Sequence, residues 1–241
     1  RQAEYLLDQI QCGPGTRILD VGCGYGRILE AARARGAEAV GITISREQVE
    51  RNRAAGLEVY QCNYRDIFTS DAYDDWVGAF DGIVANGSLE HFVQAVDAGA
   101  GRADLRYEEM FAIFRRLLRS GGKVATTAIH SRRAEQVHPL DVMRGPRNFP
   151  HGSDEYHAAN LHRSFGGWYP EPGQLAECAQ AHFRLVAEED GTEDYRRTSE
   201  YWVRALRRRI ACDPRCWLSV AGEGLRYGRA AGRMLKCLLW D

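Results

Sequence analysis

The sequence has no apolar run that approaches the ~20 residues of a membrane-spanning helix. It contains no signal-peptide pattern either. Charge of one sign is not in excess, because 32 basic and 33 acidic residues leave a net charge of −1. Nucleic-acid-binding domains usually carry a basic face, so the composition argues against a nucleic-acid partner. We therefore expect a soluble, cytoplasmic protein that binds no nucleic acid.

Cysteine is too sparse for the disulfide framework of a small secreted domain, with seven residues in 241. Reduced thiols buried in the core are the simplest role for those beside apolar runs; these are Cys12, Cys23, Cys62 and Cys178. The pair Cys212 and Cys216 has no second pair to complete a zinc site. The four histidines between His138 and His162 lack the i, i+4 spacing of a helical zinc site. We therefore expect no metal.

Apolar runs and amphipathic segments alternate through the first half of the chain. Five strands are predicted, at 17–21, 38–42, 57–62, 80–85 and 123–129. Helices are predicted between them, including one that Ser45 caps with Gln48 as its capping-box partner. Another spans 104–122 and ends in basic residues and two glycines. This order predicts an α/β fold with a doubly wound, mostly parallel sheet.

The pattern changes at 130–173, which holds five His, five Pro and five Gly. We predict that this segment, after the fifth strand, is a lid insertion over the carboxyl edge of the sheet, where ligands bind in such folds. The chain 1–241 is treated as a single domain with C-terminal helices over 194–241. Downstream we predict a strand at 183–190 and helices at 194–209 and 222–238.

The stretch "ILDVGCGYGR" (18–27) carries three alternating glycines directly after a strand. A dinucleotide fingerprint needs a third glycine where Arg27 stands. Asp20, two residues before Gly22, suits a cationic ligand better than a pyrophosphate, and the glycines let a ligand approach the backbone. Together "DVGCGYG" resembles motif I of the class I S-adenosylmethionine (SAM)-dependent methyltransferases.

Further segments resemble the cyclopropane fatty acid synthase and mycolic acid cyclopropane synthase family. "GITISREQ" (41–48) lacks the acidic residue that usually binds the ribose and carries a Thr-x-Ser-x-x-Gln pattern instead. "CNYRDI" (62–67) and "FDGIVANGSLEHF" (80–92) look like the segments around the third and fourth strands of that family. "DYRRTSEYWVRAL" (194–206) and "YGRAAGRM" (227–234) look like its C-terminal helices.

The resemblance implies SAM as the methyl donor and S-adenosylhomocysteine (SAH) as its product. It implies cofactor contacts along the methionine part (Asp20, Gly22, Gly24), at the ribose (Thr43, Gln48), near the adenine (Asn63, Tyr64) and at the amino-acid end (Asn86). Simpler roles stay open for three of these residues. Thr43 and Gln48 fit helix capping, and Tyr64 fits ordinary packing.

By the same resemblance, an alkene carbon of a lipid acyl chain attacks the SAM methyl group, and a proton is then lost from the resulting cation. Glu90 is the best candidate to stabilise that cation, accept the proton or bind a cationic substrate. Its alternative role is an acid that complements a helix dipole. Tyr227 matches a family tyrosine, and His91 is a further candidate that packing alone also explains.

Members of the family hold a bicarbonate ion as base with a Glu, a His, a Tyr and backbone groups. Glu90 and Tyr227 match two of these, whereas Thr127 stands at the histidine position, with His130 three residues later. A contributing Cys would lie upstream of residue 1. The sequence therefore gives bicarbonate weak support.

Three functions remain open from the sequence. The first is methyl transfer to a carbon of an unsaturated lipid or other alkene, and the second is N-, O- or C-methylation of a small molecule. The third is a SAM-binding module without catalysis. The partner is a lipid or small-molecule acceptor, and the oligomeric state is undetermined. A basic run is either a solvated helix face or a membrane-surface contact; it comprises Arg204, Arg207, Arg208 and Arg209.

Overall fold

A computed structural model of the protein describes residues 2–69, 71–130 and 137–215, together with four single positions, Leu218, Ala221, Gly222 and Gly228. In chain order its helices and strands are α1 (Gln2–Gln9), β1 (Arg17–Val21), α2 (Arg27–Ala34), β2 (Glu38–Thr43), α3 (Arg46–Ala54), β3 (Glu58–Gln61), β4 (Phe80–Asn86), α4 (Ala95–Gly99), α5 (Ala103–Leu117), β5 (Leu118–Thr127), α6 (Pro139–Arg144), α7 (Asp154–Phe165), α8 (Gln174–Ala179) and α9 (Thr192–Cys212).

The chain forms two compact units. One comprises Arg1–Pro139 and Gly167–Arg184, and the other comprises Leu140–Gly166 and Leu185–Asp241. In the second unit, α7 packs against the 3₁₀ turn Pro146–Asn148. The single-domain organisation and the lid role of the 130–173 segment stay predictions.

The first unit is built on a parallel sheet with the strand order β3-β2-β1-β4-β5. All five predicted strands are present, which confirms the parallel α/β prediction. β1 and β4 are buried along nearly their whole length, as expected for central strands covered on both faces. The strand order reverses direction at β1, whose neighbours are β2 and β4. Ligands bind at such a switch point, beyond the carboxyl ends of the strands.

Successive side chains of a strand point to opposite faces of the sheet, so the core lies in two layers, one on each face. Leu19 and Ile83 face the larger layer, which contains the apolar side chains of α5. Ile18 and Val84 face the other layer, together with the buried leucines of α1 and Ile28 of α2. Helices therefore cover both faces of the sheet, as a doubly wound fold requires.

The helix predicted over 104–122 ends earlier, at Leu117. Leu118 is already extended and buried, and it pairs with Phe80 of β4. The register then shifts, so that Lys123 pairs with Gly82, and the residues between them form an irregularity in β5. The prediction was wrong because burial of Leu118 in the core favours the strand over another helical turn.

Two downstream predictions have different outcomes. The helix predicted at 194–209 is confirmed within α9. The strand predicted at 183–190 is wrong, since in the described residues this segment pairs with no strand. Phe183 packs edge-on against Phe111 of α5, whereas Leu185 and Val186 are exposed. The helix predicted at 222–238 lies outside the continuously described ranges. Among the described residues, no helix is both long and apolar enough to cross a membrane.

Candidate active site

The glycine loop after β1 is tied to the neighbouring strand β2. The backbone N–H groups of Gly22 and Cys23 both donate to the carbonyl oxygen of Ile42, at 2.9 and 3.0 Å. Gly22, Gly24 and Gly26 have φ values of +82°, +53° and +78°, which side chains rarely tolerate. The loop therefore needs glycine at all three positions.

The three glycines differ in what surrounds them. A Cβ on Gly22 would lie 2.7 Å from the Cβ of Ser88, and a Cβ on Gly26 would overlap Asn52 and Leu57. A Cβ on Gly24 would meet nothing within 4 Å. Gly22 and Gly26 are thus required for packing inside the protein, whereas Gly24 borders open space.

Two residues that the sequence analysis missed hold this loop. The hydroxyl of Ser88, after β4, donates to the carbonyl of Val21 at 2.9 Å. The amide of buried Asn52, in α3, donates to the carbonyl of Gly24 at 2.8 Å. No local pattern could have found these contacts, because the partners lie far apart in the sequence.

Asp20, near the end of β1, is only 1% exposed. Its Oδ2 atom has no hydrogen-bond partner in the described part of the chain. Burial raises the pKa of this carboxyl to about 7. A buried carboxyl without a cationic partner favours binding of a positively charged group, because such a group would restore the lost solvation.

Thr43 and Gln48 contact each other at the end of β2. The Thr43 hydroxyl donates to Oε1 of Gln48 at 2.6 Å and accepts from the backbone N–H of Ser45 at 3.2 Å. Ser45 caps α3 as predicted, because its hydroxyl accepts from the Gln48 backbone N–H at 3.4 Å. The capping-box role of Gln48 is wrong, since its side chain bonds Thr43 rather than the Ser45 backbone.

Asn63 and Tyr64 follow β3. Asn63 is exposed, and its side-chain oxygen accepts from the backbone N–H of Arg65 at 3.1 Å. Tyr64 is buried, with its ring stacked on Phe92 at a centroid distance of 4.4 Å. Arg65 donates to the Tyr64 hydroxyl at 3.1 Å and to the Phe92 carbonyl at 2.9 Å. This placement fits the packing role for Tyr64.

Glu90 lies in the 3₁₀ turn Leu89–His91 after β4 and is 5% exposed. Its Oε1 accepts from the backbone N–H of Ile129, beyond β5, at 2.6 Å. Its Oε2 is buried and has no partner among the described residues. The Glu90 carbonyl accepts from the Trp168 N–H at 2.8 Å, which holds the turn from the other side. His91, by contrast, is exposed.

Tyr107, on α5, is another residue that the sequence analysis missed. It is fully buried, and its hydroxyl has no partner in the described ranges. Burial, together with the negative charge of Glu90, raises the pKa of this hydroxyl. In the sequence Tyr107 fits the apolar face of an amphipathic helix and is indistinguishable from a core residue. Only its buried hydroxyl without a partner, seen in the structure, marks it as unusual.

Thr127 stands where the resemblance implies a histidine, and its hydroxyl proton is already engaged in a hydrogen bond. The hydroxyl donates to Oδ1 of Asn86 at 2.8 Å and accepts from the Gly87 N–H at 2.9 Å. It therefore has no proton left for an anion. Tyr227 lies outside the described residues. The described residues do not fit bicarbonate at position 127, and no step of the reaction is assigned to that ion.

The predicted residues of three strands converge at one edge of the sheet. Asp20 pairs with Val84, and Asn86 lies two residues further along the same strand, so both side chains are on the same face. Asn86 pairs in turn with Thr127. Glu90 follows Asn86 by one short turn. The acid of motif I, the Asn86–Thr127 pair and Glu90 thus belong to neighbouring strand ends.

Comparison with known proteins identifies the family. The family model described as mycolic acid cyclopropane synthetase matches residues 1–212. The tuberculostearic acid methyltransferase UfaA1 of Mycobacterium tuberculosis is 33% identical over 137 residues, which cover 54% of this chain and 28% of that protein. Cyclopropane mycolic acid synthase 2 of Mycobacterium bovis is 26% identical over 215 residues, which cover 78% of this chain and 70% of that protein.

A solved structure shares the fold. The crystal structure of mycolic acid cyclopropane synthase CmaA1 complexed with SAH and CTAB matches with a TM-score of 0.69 and 22% sequence identity. The match covers 99% of this chain and 76% of the CmaA1 chain. This likeness confirms the predicted class I methyltransferase fold. The chain belongs to the mycolic acid cyclopropane synthetase family, as the motifs around its glycine loop and Glu90 predict.

Proposed function

We propose that the protein transfers the methyl group of SAM to a carbon of an unsaturated lipid or another alkene. Family membership supports the reaction class. The names of the relatives, a tuberculostearic acid methyltransferase and a cyclopropane mycolic acid synthase, support a lipid acceptor. The observation that carries the proposal is the Glu90 carboxyl group, which is buried after β4 with one oxygen that has no partner among the described residues.

The cofactor would lie over the open face of Gly24, where the backbone can be approached closely. Asp20 would receive the ammonium group of the methionine part. The amide N–H groups of Gln48, whose oxygen is held by Thr43, are available to donate to the ribose hydroxyls. Asn63 would lie at the adenine side together with Tyr64, and SAM supplies an electrophilic methyl group when it is bound.

Glu90 would act on the acceptor through its unpaired oxygen. The Ile129 N–H fixes Oε1, so Oε2 is held in a defined orientation. A carboxylate in a poorly solvated site stabilises a nearby carbocation strongly, because little water screens the interaction. The same oxygen can accept the proton that the methylated carbon skeleton releases. This role requires neither Thr127 nor bicarbonate as a base.

The remaining predicted roles are proposals of the same kind. The catalytic role of Tyr227 stays a prediction. His91 is exposed, so it would contribute only by contacting a bound acceptor. A lipid acceptor is consistent with contact between the arginine-rich helix α9 and a membrane surface, where Trp202 is exposed. Cytoplasmic localisation stays a prediction.

The acceptor is tested with SAM labelled at its methyl carbon. We expect mass spectrometry to find the label on a carbon of an unsaturated acyl chain after incubation with phospholipid vesicles. Label found only on an oxygen or nitrogen of a polar metabolite would contradict the lipid proposal. Binding of SAH without transfer to any acceptor would instead indicate a non-catalytic module.

Glu90→Gln tests the catalytic role. The substitution keeps the shape and the acceptor for Ile129 but removes the charge. We expect turnover to fall by ~10²-fold or more, the usual scale for a positioned acid–base or electrostatic group, with SAH affinity within a few-fold of wild type. The control is Glu38→Gln, an exposed acid at the opposite edge of the sheet. Wild-type turnover in Glu90→Gln would rule out catalysis by this residue.

Gly24→Ala tests the position of the cofactor. The added Cβ enters open space, and its cost to folding is the backbone strain at a φ of +53°. Beyond that strain, the Cβ should displace the ligand, and calorimetry should show SAH binding weakened by roughly tenfold or more, about 1.4 kcal/mol. Gly78→Ala is the matched control, because Gly78 has a similar φ of +64°, also borders open space and precedes β4 at the other edge. Equal SAH affinities in both variants would place the cofactor elsewhere.

Asp20 predicts a pH dependence of binding. Burial raises its pKa to about 7, so below that pH the carboxyl of the free protein is protonated. An ammonium ligand favours the ionised form, so SAH affinity should weaken by up to ~10-fold per pH unit below about 7, with proton release on binding. Calorimetry across pH in buffers of different ionisation enthalpy measures both. In Asp20→Asn, the loss of SAH affinity below about pH 7 and the proton release should both disappear. If the pH dependence persisted in this variant, another group would be its cause.

A further inference from the structure

Asn86 and Thr127 form a side-chain pair across the ends of β4 and β5. They are register partners, and the Thr127 hydroxyl donates to Oδ1 of Asn86 at 2.8 Å. The same hydroxyl accepts from the Gly87 N–H at 2.9 Å, and that N–H also lies 3.2 Å from the Thr127 carbonyl. The hydroxyl is thus held by two groups of the β4 end.

In this arrangement the Asn86 amide lies with its oxygen toward Thr127. A side-chain amide has an acceptor end and a donor end of nearly the same shape, so its orientation depends on its hydrogen bonds. Because Oδ1 accepts the Thr127 proton, the NH₂ group is turned to the other side. Asn86 is half-buried, and among the described residues no partner engages this NH₂ group.

The pair lies beside the glycine loop. Asp20 pairs with Val84, the last paired residues of β1 and β4, and Asn86 follows Val84 by two residues, so its side chain lies on the Asp20 face of the sheet. Ser88 confirms the proximity of the two loops, because its hydroxyl donates to the carbonyl of Val21 at 2.9 Å. A ligand over the loop therefore meets an acid, Asp20, and an amide donor, Asn86.

The amino-acid end of SAM has two charged groups, an ammonium and a carboxylate. An acid suits the ammonium, and an NH₂ group, which only donates, suits the carboxylate. If the Asn86 amide rotated by half a turn, it would present its oxygen to the carboxylate and repel it. The Thr127 hydroxyl opposes that rotation, because it already accepts from the Gly87 N–H. In the rotated form it would have to accept from the Asn86 NH₂ group as well, and its own proton would lose Oδ1 as acceptor.

We propose that Thr127 is a positioning residue that orients the Asn86 amide to donate to the cofactor carboxylate. The assignment rests on the proposed SAM site, and it gives the threonine at the family's histidine position a role in cofactor recognition. Thr127 acts only through Asn86 and touches neither the methyl group nor the acceptor.

Two ligands separate this role from a structural one. SAH carries the amino-acid end, whereas 5′-methylthioadenosine lacks it. In Thr127→Val, which keeps the shape but loses the hydroxyl, we expect calorimetry to show SAH binding weakened by roughly tenfold, the scale of one hydrogen bond to a charged group. Binding of methylthioadenosine should stay within twofold of wild type, and Thr127→Ser, which keeps the hydroxyl, should restore SAH binding.

Two further variants complete the experiment. Asn86→Asp keeps the acceptor for Thr127 but replaces the donor by an oxygen, so it should weaken SAH far more than methylthioadenosine even if Thr127→Val folds poorly. In Asn86→Leu, which has no amide, adding Thr127→Val should cause no further loss. Circular dichroism and thermal unfolding establish that each variant is folded.

The outcomes are distinguishable. Equal losses for both ligands in Thr127→Val and Asn86→Asp would overturn the assignment in favour of a structural role, and unchanged SAH affinity in both would overturn it outright. A change confined to the KM of the acceptor would assign the pair to the acceptor instead. The expected ligand pattern without methyl transfer would support Thr127 while contradicting the proposed reaction. Failure of the wild type to bind SAH would overturn both.

Discussion

The contact between Gly22 and Ser88 joins the two halves of the candidate site. Because Gly22 has no Cβ, Ser88 can approach the loop after β1 and donate to the carbonyl of Val21. The turn that carries Glu90 follows directly, so the same contact sets the distance between the glycine loop and the carboxylate. A side chain at residue 22 would separate the two loops and so move Glu90 away from the proposed cofactor position.

The scaffold under this contact was predictable because its signals are local. Short, mostly apolar runs such as 17–21 and 80–85, each followed within two residues by a glycine, are typical of central strands that end in a loop. The errors fall where a distant partner decides the local structure. Leu118 leaves the helical pattern because it pairs with Phe80, and 183–190 looks like a strand although no sheet edge receives it in the described residues.

The residues of the candidate site also fall into those that a local sequence pattern predicts and those that a distant partner determines. Asp20 and the three glycines could be found from one ten-residue stretch, since their function depends on the loop itself. The groups that orient the polar atoms could not. Asn52 reaches Gly24 over 28 residues, Ile129 reaches Glu90 over 39, and Thr127 reaches Asn86 over 41. Such pairs depend on which strands are neighbours in the sheet. The sequence indicates the class of fold but not these individual contacts.

Polar atoms left unpaired in the core indicate what the fold is organised to bind. Oδ2 of Asp20, Oε2 of Glu90 and the hydroxyl of Tyr107 are all buried without partners in the described residues, and each such group costs about 1–3 kcal/mol of stability. Asp20 lies near the end of β1 and Glu90 follows the adjacent strand β4. Under the proposed function they would face the two positive regions of one reaction, the ammonium of the donor and the cation formed on the acceptor. In the proposed reaction the acceptor is a hydrocarbon that cannot itself supply hydrogen bonds, so a carboxyl group already in place would stabilise the cation without reorganisation of the site. Under the proposed function, the buried Oε2 of Glu90, which has no partner among the described residues, would provide this preorganisation.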